Sequence, residues 1–316
     1  MTTPLIEARE LKKYFKTSSG DLRAVDGINL KVDKGNTIGV VGESGCGKST
    51  LGRVMIRLLE PTAGEVLYNG KNIFTASDRE MKELRKDIQI IFQDPYSSLN
   101  PRMTVSEIIA EPIKVCKLLN SKSDIEAKVF ELMATVGLAA RFVNSYPHEL
   151  DGGRRQRIGI ARALSLDPKF IVCDEPVSAL DVSIQAQILN LMMDLQDSLG
   201  LTYMFITHDL SVVKHISTDI AVMYLGQLVE KAPSDELFAN PSHPYTKALL
   251  AAIPVASLKR RGIRSTIRGE VTNPINPAPG CRFAARCPHA AAACAERPYA
   301  LKEIGENHFV SCVLYH

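Results

Sequence analysis

Short apolar runs alternate with helix-like segments along much of the chain. The runs are rich in β-branched residues and are bounded by glycine or polar residues; they lie at 36–42, 88–92, 170–174 and 203–207. Between them, the segments 49–60 and 183–200 repeat apolar residues at helical spacing. Apolar strands that alternate with helices predict a parallel sheet covered on both faces, which is an α/β fold.

Two regions depart from this alternation. Residues 5–30 alternate apolar and polar positions around a turn at 18–20, which predicts two strands joined by that turn. Residues 95–149 lack clear strand patterns and are predicted to be mostly helical. We therefore expect a helical subdomain, inserted at about 95–158, within the α/β domain.

Composition changes near the C-terminal end predict a domain boundary. A basic segment at 258–264 is followed by a proline-rich segment at 273–280, and both are typical of linkers. We expect a main domain over 1–255 and a small extension over 256–316.

Bulk composition excludes several classes of protein. The 316 residues are 45% hydrophobic, which suffices for one large core with an appendage. The formal charge of +3 is too small to indicate nucleic acid as the main partner. The chain lacks the roughly 20 successive apolar residues that span a bilayer, and its first residues carry charges where a signal peptide is apolar. We expect a protein that stays in the cytosol.

The segment GESGCGKST matches the phosphate-loop pattern G-x-x-x-x-G-K-[ST]. Backbone N–H groups of such a loop bind phosphate oxygens, while Lys48 would reach the β- and γ-phosphates and the Ser49 hydroxyl would ligate Mg²⁺. A glycine-rich turn without a ligand is the alternative. The residues expected to bind nucleotide here are Gly42, Ser44, Gly45, Cys46, Gly47, Lys48, Ser49 and Thr50.

An acidic pair ends the third apolar run. Asp174 is expected to hold Mg²⁺, and the adjacent Glu175 to polarise the water that attacks the γ-phosphate. A plain helix cap would also explain the pair, but the phosphate loop upstream favours a nucleotide site.

Further motifs resemble those of the ABC ATPases in identity and order. They are Tyr14 at the adenine-stacking position, the Q-loop IIFQDPYSSLNP with Gln93, the signature LDGGRRQRIGIARAL, the D-loop SALD that ends at Asp181, and FITHDLSVV with the switch histidine His208. On this resemblance the chain is identified as a member of that family. The resemblance implies a P-loop NTPase with a RecA-like core, an antiparallel β subdomain and an inserted helical subdomain.

The resemblance also implies how the motifs work. Two ATPase domains would meet head to tail, with ATP between the phosphate loop of one chain and the signature of the other. Gly152 and Gly153 would let a helix N-terminus approach the partner's γ-phosphate. Gln93 would sense Mg²⁺ and the attacking water, and His208 would hold the γ-phosphate in line with that water. Asp181 would contribute to nucleotide binding through the D-loop.

The C-terminal part resembles one branch of the family. HPYTKALLAAIP at 243–254, followed by NPINPAPGCRFAARCP, is similar to the extension of oligopeptide and dipeptide importer ATPases. Peptide is therefore the expected cargo, with a nickel or metal-chelate importer as the alternative. A soluble ABC ATPase is a weaker rival because the chain has neither a second ATPase domain nor a long coiled-coil insertion.

This resemblance implies a set of partners. They are a second ABC ATPase subunit of a different sequence, two transmembrane permease subunits and, indirectly, an extracytoplasmic peptide-binding protein. The subunit would lie peripherally on the cytoplasmic face of the cell membrane.

The signature departs from its usual form, Leu-Ser-Gly-Gly-Gln. Here Asp151 replaces the serine and Arg154 replaces the glutamine. Asp remains a good helix N-cap, but its charge would oppose a phosphate, and Arg154 would offset part of that repulsion. An impaired signature impairs the partner's ATP site, so we expect an asymmetric heterodimer.

Four of the seven cysteines crowd into the extension, with the spacing C-x5-C-x6-C-x17-C. They are Cys281, Cys287, Cys294 and Cys312. The spacing lacks the close pairs of most zinc sites, and disulfides are rare in a reducing compartment. The resemblance implies a [4Fe–4S] cluster on these thiolates; zinc and free thiols stay open. We also expect a change at Cys287 to leave ATP binding intact, since the phosphate loop would belong to a separate core.

Overall fold

The computed structural model describes residues 4–253, 275–296 and 299–316. Its strands are β1 Ile6–Thr17, β2 Gly20–Val32, β3 Thr37–Val41, β4 Ala63–Tyr68, β5 Lys71–Asn72, β6 Ile88–Ile91, β7 Phe170–Asp174, β8 Thr202–Thr207, β9 Asp219–Tyr224, β10 Gln227–Pro233, β11 Lys302–Gly305 and β12 His308–Val310. Its α-helices are α1 Lys48–Met55, α2 Asp78–Asp87, α3 Val105–Val115, α4 Lys122–Thr135, α5 Gly152–Leu164, α6 Val182–Leu199, α7 Leu210–Ile216, α8 Ser234–Ala239, α9 Pro244–Ala251 and α10 Ala293–Glu296.

The chain folds as two compact units. The first runs to Phe74 and resumes at Phe205, and the second is Thr75–Met204. Strand β8 crosses the boundary between them, so each unit contains one part of it.

The first unit contains two sheets. An antiparallel sheet has the order β2-β1-β4-β5, and β1 and β2 form the predicted hairpin. The other sheet has the order β11-β12-β10-β9-β3, followed by the end of β8. Strands β3 and β9 are parallel, whereas β9, β10, β12 and β11 pair antiparallel. All residues of β3 are buried, as its β-branched sequence predicts.

The second unit places helices beside a short parallel sheet. Its strand order is the start of β8, then β7 and β6, and β6 pairs in parallel with β7. Helices α3 and α4 and two 3₁₀ turns occupy most of the segment predicted to be helical. Thr104 and Glu107 form a capping box at the start of α3, which fixes where that helix begins.

The C-terminal extension is joined to the first unit by strand pairing. Strand β12 pairs with β10, and Ile275 forms a bridge with Leu22 of β2. The buried carboxylate of Glu230 accepts hydrogen bonds from the backbone N–H groups of Ser242 and His243 and pairs with His308 Nε2 at 2.7 Å. The extension is therefore built into the first unit and is not a separate appendage.

These elements confirm the predicted α/β class and its main strands. The basic segment at 258–264, the boundary near 255 and the first residues of the proline-rich segment lie outside the described residues. Within the part of the chain that is described, no helix has the length and apolar character needed to cross a membrane.

Candidate nucleotide site

The phosphate loop connects β3 to α1 in the first unit. Its tight course requires glycine at two positions: a Cβ on Gly42 would lie 2.1 Å from the Met223 carbonyl oxygen, and a Cβ on Gly47 1.9 Å from the Ala24 carbonyl oxygen. Gly47, with φ +104°, is the N-cap of α1. The loop is thus pressed against its surroundings and directs the start of α1, with Ser49 and Thr50 in its first turn.

Lys48 is held under this loop by two backbone carbonyls. Its side chain is buried, and Nζ donates to the carbonyl oxygens of Gly42 at 2.8 Å and Glu43 at 3.0 Å. The neighbouring thiol of Cys46 is also buried, and burial raises its pKa. Lys48 is therefore a buried cation held against the backbone of the loop.

Three of the predicted side chains lie at the carboxyl ends of β6 and β7 in the second unit. Gln93 Nε2 donates to Glu175 Oε2 at 2.9 Å, and Asp174, 1% exposed, ends β7 beside Glu175. Glu175 has a backbone φ of +47°, which is unusual for a residue other than glycine. Such strain is typical of functional positions. The oxygen donors of this group fit Mg²⁺, which prefers carboxylate and carbonyl ligands.

His208 and Tyr14 belong to the first unit. His208 is exposed and directly follows β8, before Asp209 caps α7. Tyr14 lies on β1, and its hydroxyl donates to Asp26. Burial and this hydrogen bond raise the pKa of Tyr14 to about 12. The Arg23 guanidinium lies 5.4 Å from the centre of the Tyr14 ring.

The altered signature forms an N-terminal helix cap, as predicted. Asp151 accepts a hydrogen bond from the Arg154 N–H at 2.8 Å and is the N-cap of α5. Its second carboxylate oxygen forms an ion pair with the Arg154 guanidinium, which also lies 4.9 Å from the Phe142 ring centre. Gly152 and Gly153 form the first turn of α5. Arg154 therefore offsets the charge of Asp151 within the same chain.

Asp181 is likewise a helix cap. It accepts hydrogen bonds from Ile184 N at 3.1 Å and from Ser183 Oγ at 2.7 Å at the start of α6. The hydroxyl hydrogen bond is the main reason that the pKa of Asp181 is lowered. Both hydrogen bonds use Oδ1, and the side chain is exposed. A contact with nucleotide would therefore involve Oδ2.

The four cysteines of the extension lie in one region of the first unit. Cys294 and Cys312 are buried, and Cys281 and Cys287 are half-buried. Burial raises the pKa of Cys281, and repulsion from the other three thiols adds to that rise. Yet the described residues contain no group of three or more His, Cys, Asp or Glu side chains arranged to hold a metal ion. The donor set fits iron or zinc in kind but is not gathered into a ligand arrangement.

A set of contacts that the sequence did not predict joins the extension to the phosphate loop. The Arg286 guanidinium binds both carboxylate oxygens of Glu43, at 2.7 and 3.0 Å. The Tyr245 hydroxyl accepts the Glu43 N–H at 2.9 Å, and Arg282 forms an ion pair with Asp26. The loop and the extension therefore share contacts, although the sequence placed them in separate cores; that a change at Cys287 leaves ATP binding intact stays a prediction. Two arginines in an otherwise apolar segment were the available signal, but the sequence does not show what they pair with.

Comparison with known proteins identifies the family. The family model described as ABC transporter matches residues 25–178, and the one described as oligopeptide/dipeptide transporter, C-terminal region, matches residues 229–294. The chain is 51% identical to the oligopeptide transport ATP-binding protein AppF of Bacillus subtilis, over 98% of this chain and 97% of that protein. It is 50% identical to the dipeptide transport ATP-binding protein DppF of Haemophilus influenzae, over 98% of this chain and 96% of that one.

Solved structures are similar as well. A bacterial ABC transporter cassette solved as a dimer superimposes with a TM-score of 0.67 at 29% identity, over 72% of this chain and 98% of that one. A cassette in a post-hydrolysis state, bound to ADP and Pi, also has a TM-score of 0.67, at 28% identity and with the same coverage. These likenesses confirm the P-loop NTPase fold predicted from the motifs.

Proposed function

The chain belongs to the ATP-binding proteins of the oligopeptide and dipeptide ABC transporters, and from that premise we propose that it binds and hydrolyses ATP to drive peptide uptake. The observation that carries the hydrolytic part is the hydrogen bond between Gln93 and Glu175 beside the buried Asp174. That pairing fixes a carboxylate next to a cation-binding carboxylate, as activation of a water requires.

Each residue has a proposed role at the nucleotide. Lys48 and the loop N–H groups bind the phosphates, and Tyr14 stacks on adenine. Ser49, Asp174 and the Gln93 amide oxygen would ligate Mg²⁺, which neutralises phosphate charge when bound. Glu175 accepts the proton of the attacking water, and His208 orients the γ-phosphate. In the partner's site, Asp151, Gly152, Gly153 and Asp181 would face the nucleotide.

The test separates binding from hydrolysis. Glu175→Gln should bind ATP like the parent but hydrolyse it at least about a hundredfold more slowly, the scale of general-base loss. Lys48→Ala should weaken nucleotide binding itself. Glu126→Gln, at an exposed position of α4, is the matched control and should behave like the parent. Parental hydrolysis by Glu175→Gln in the assembled transporter would show that another group activates the water.

The proposed assembly comprises a second, different ATPase subunit, two permease subunits and, indirectly, an extracytoplasmic peptide-binding protein. The subunit would lie on the cytoplasmic face of the membrane. Affinity-tagged chain extracted with detergent should co-purify with integral membrane proteins, whereas a soluble ABC ATPase would not. Uptake of labelled dipeptide, and not of nickel, should depend on Lys48 in cells.

We propose that a [4Fe–4S] cluster stabilises the fold of the extension. Its ligands would be Cys281, Cys287, Cys294 and Cys312. Its support is the set of four thiol donors within the extension; no catalytic step is assigned to it. Protein purified without oxygen should contain about four irons per chain and absorb broadly in the visible range. If the protein contains one zinc and no iron, the site is a zinc site and not a cluster. If it contains neither metal, the cysteines are free thiols.

A further inference from the structure

A short piece of the extension, residues 281–287, contacts two parts of the predicted nucleotide site in the first unit. One is the phosphate loop, and the other is Asp26, which binds Tyr14 at the predicted adenine-stacking position. We call it the arginine segment, because Arg282 and Arg286 carry its polar contacts. Phe283 between them is 1% exposed and packs edge-on against Tyr224, with ring centres 5.3 Å apart. The ring of Tyr245 also lies 5.3 Å from Phe283. The segment is thus fixed by an aromatic cluster and not by its charges alone.

Arg286 fixes the phosphate loop. Its side chain is 7% exposed and forms a two-pronged ion pair with Glu43, whose side chain is 26% exposed. This geometry is the strong, directional form of the arginine–carboxylate pair. The backbone of Glu43 is held as well, because its N–H donates to Tyr245 and its carbonyl accepts from Lys48 Nζ. Glu43 is therefore restrained through its side chain, its N–H and its carbonyl.

Arg282 holds Asp26, the residue that binds Tyr14. Its side chain is 5% exposed, and it donates to the Leu225 carbonyl and pairs with Asp26. The other carboxylate oxygen of Asp26 accepts from the Tyr14 hydroxyl. Asp26 thus connects Arg282 to the tyrosine proposed to stack on adenine. Asp26 also pairs with Arg23, but at 3.7 Å. Loss of Arg282 would leave this partly buried carboxylate beside the ring with only that longer ion pair.

We propose that Arg282 and Arg286 are positioning residues for ATP, with Arg286 supporting the phosphate loop and Arg282 supporting the adenine wall through Asp26 and Tyr14. The inference rests on the proposed binding of ATP by this chain. Arg286 also cancels the charge of Glu43, a carboxylate within a loop that must accept a polyanion. Removing Arg286 should therefore weaken binding of the phosphate chain, and removing Arg282 should weaken binding of the base.

Two ligands separate the two effects. ATP and inorganic tripolyphosphate share the phosphate chain, but only ATP has a base. Arg286→Gln should weaken the binding of both by about tenfold, less than the cost of truncating one partner of a buried hydrogen-bonded charge pair, because Arg286 acts on the phosphates only through Glu43. Arg282→Gln should weaken ATP about fivefold, within the range for loss of one base–aromatic stack, and leave tripolyphosphate unchanged. Calorimetry on the purified full chain measures all four affinities.

Matched variants exclude a general loss of structure. Glu43→Gln with Arg286→Gln removes both charges and should restore binding to within about threefold of the parent, since no unpaired carboxylate then remains. Lys302→Gln removes an exposed cation of the extension and should change neither ligand. Thermal melting is followed for every variant.

The outcomes are distinguishable. If the parent does not bind ATP, or if Lys48→Ala binds it equally well, the proposed function fails. If the parent binds ATP and the two arginine variants match it, the positioning role is overturned. Equal weakening of ATP and tripolyphosphate in both arginine variants, without rescue by the double variant, would also overturn it and leave only a structural role.

Discussion

Glu175 combines backbone strain with the catalytic role proposed for it. Its left-handed backbone costs a non-glycine residue on the order of 1–3 kcal/mol, and it is retained where β7 ends and the side chain reaches Gln93. The sequence predicted an acidic pair at the end of this strand. It did not predict the strained backbone, because φ depends on how the turn after β7 packs.

His243 is a second residue whose environment sets its chemistry. It is 1% exposed, and burial lowers its pKa to about 4. Its Nδ1 accepts the N–H of Tyr245 and so caps α9, the helix from which Tyr245 contacts the phosphate loop. Protonation of Nδ1 would break this cap, so the folded chain favours the neutral ring.

This environment predicts a loss of stability in acid. The unfolded chain binds the proton near pH 6.5 and the folded chain only near pH 4, so the unfolded state gains protons first as the pH falls between these values. Stability contributed by neutral His243 is complete above pH 6.5 and is lost towards pH 4, about 3 kcal/mol in total. Urea unfolding from pH 7.5 to 4 measures it.

A variant series assigns that loss to one ring. His243→Asn keeps a side-chain oxygen that can cap α9 but does not titrate, so its stability should depend less on pH. His215→Asn, at an exposed position near the end of α7, is the control and should keep the parental slope. An unchanged slope in His243→Asn would assign the acid sensitivity to other groups.

At the scale of elements, the sequence predicts those whose pattern is local. The hairpin of β1 and β2, the strands β3, β6, β7 and β8, and helix α6 appear where apolar periodicity places them, whereas α1 ends at Met55, before the predicted end at residue 60. Asp151 is a helix cap because capping depends on a few adjacent residues. The phosphate loop could be predicted for the same reason, because its pattern also lies within a few adjacent residues.

Elements that depend on distant partners were not predicted. Strand β12 forms by pairing with β10, and its three residues carry no strand pattern of their own. Glu230 is buried because it satisfies two backbone N–H groups and His308, which are brought together only by the fold. The ion pairs of Arg282 and Arg286 span more than 240 positions of sequence. Sequence spacing cannot reveal such contacts without their tertiary context.

At the scale of the whole molecule, the altered signature matters through a second chain. In the proposed head-to-tail pair, Asp151 would face the ATP held by the partner, while Lys48 and Glu175 of this chain serve its own ATP. A carboxylate about 4 Å from a phosphate charge costs on the order of 4 kcal/mol at an effective dielectric of about 20. The ion pair with Arg154 reduces that cost, although both side chains are about half exposed and screened by water. A homodimer would carry this penalty at both sites, whereas a heterodimer confines it to one.

The asymmetry is tested by restoring the usual signature in the assembled transporter. Arg154→Gln alone should lower turnover at the partner's site, because Asp151 then loses its counter-charge; Asp151→Ser should raise it, and the two changes together should raise it most. All three variants can still cap α5, since serine is also a good N-cap.

Glu175→Gln should abolish nearly all ATP hydrolysis, whereas the equivalent change in the partner should matter less. Equal losses from the two glutamate variants, with no gain from Asp151→Ser, would mean that both sites work alike and that Arg154 already compensates Asp151 in full.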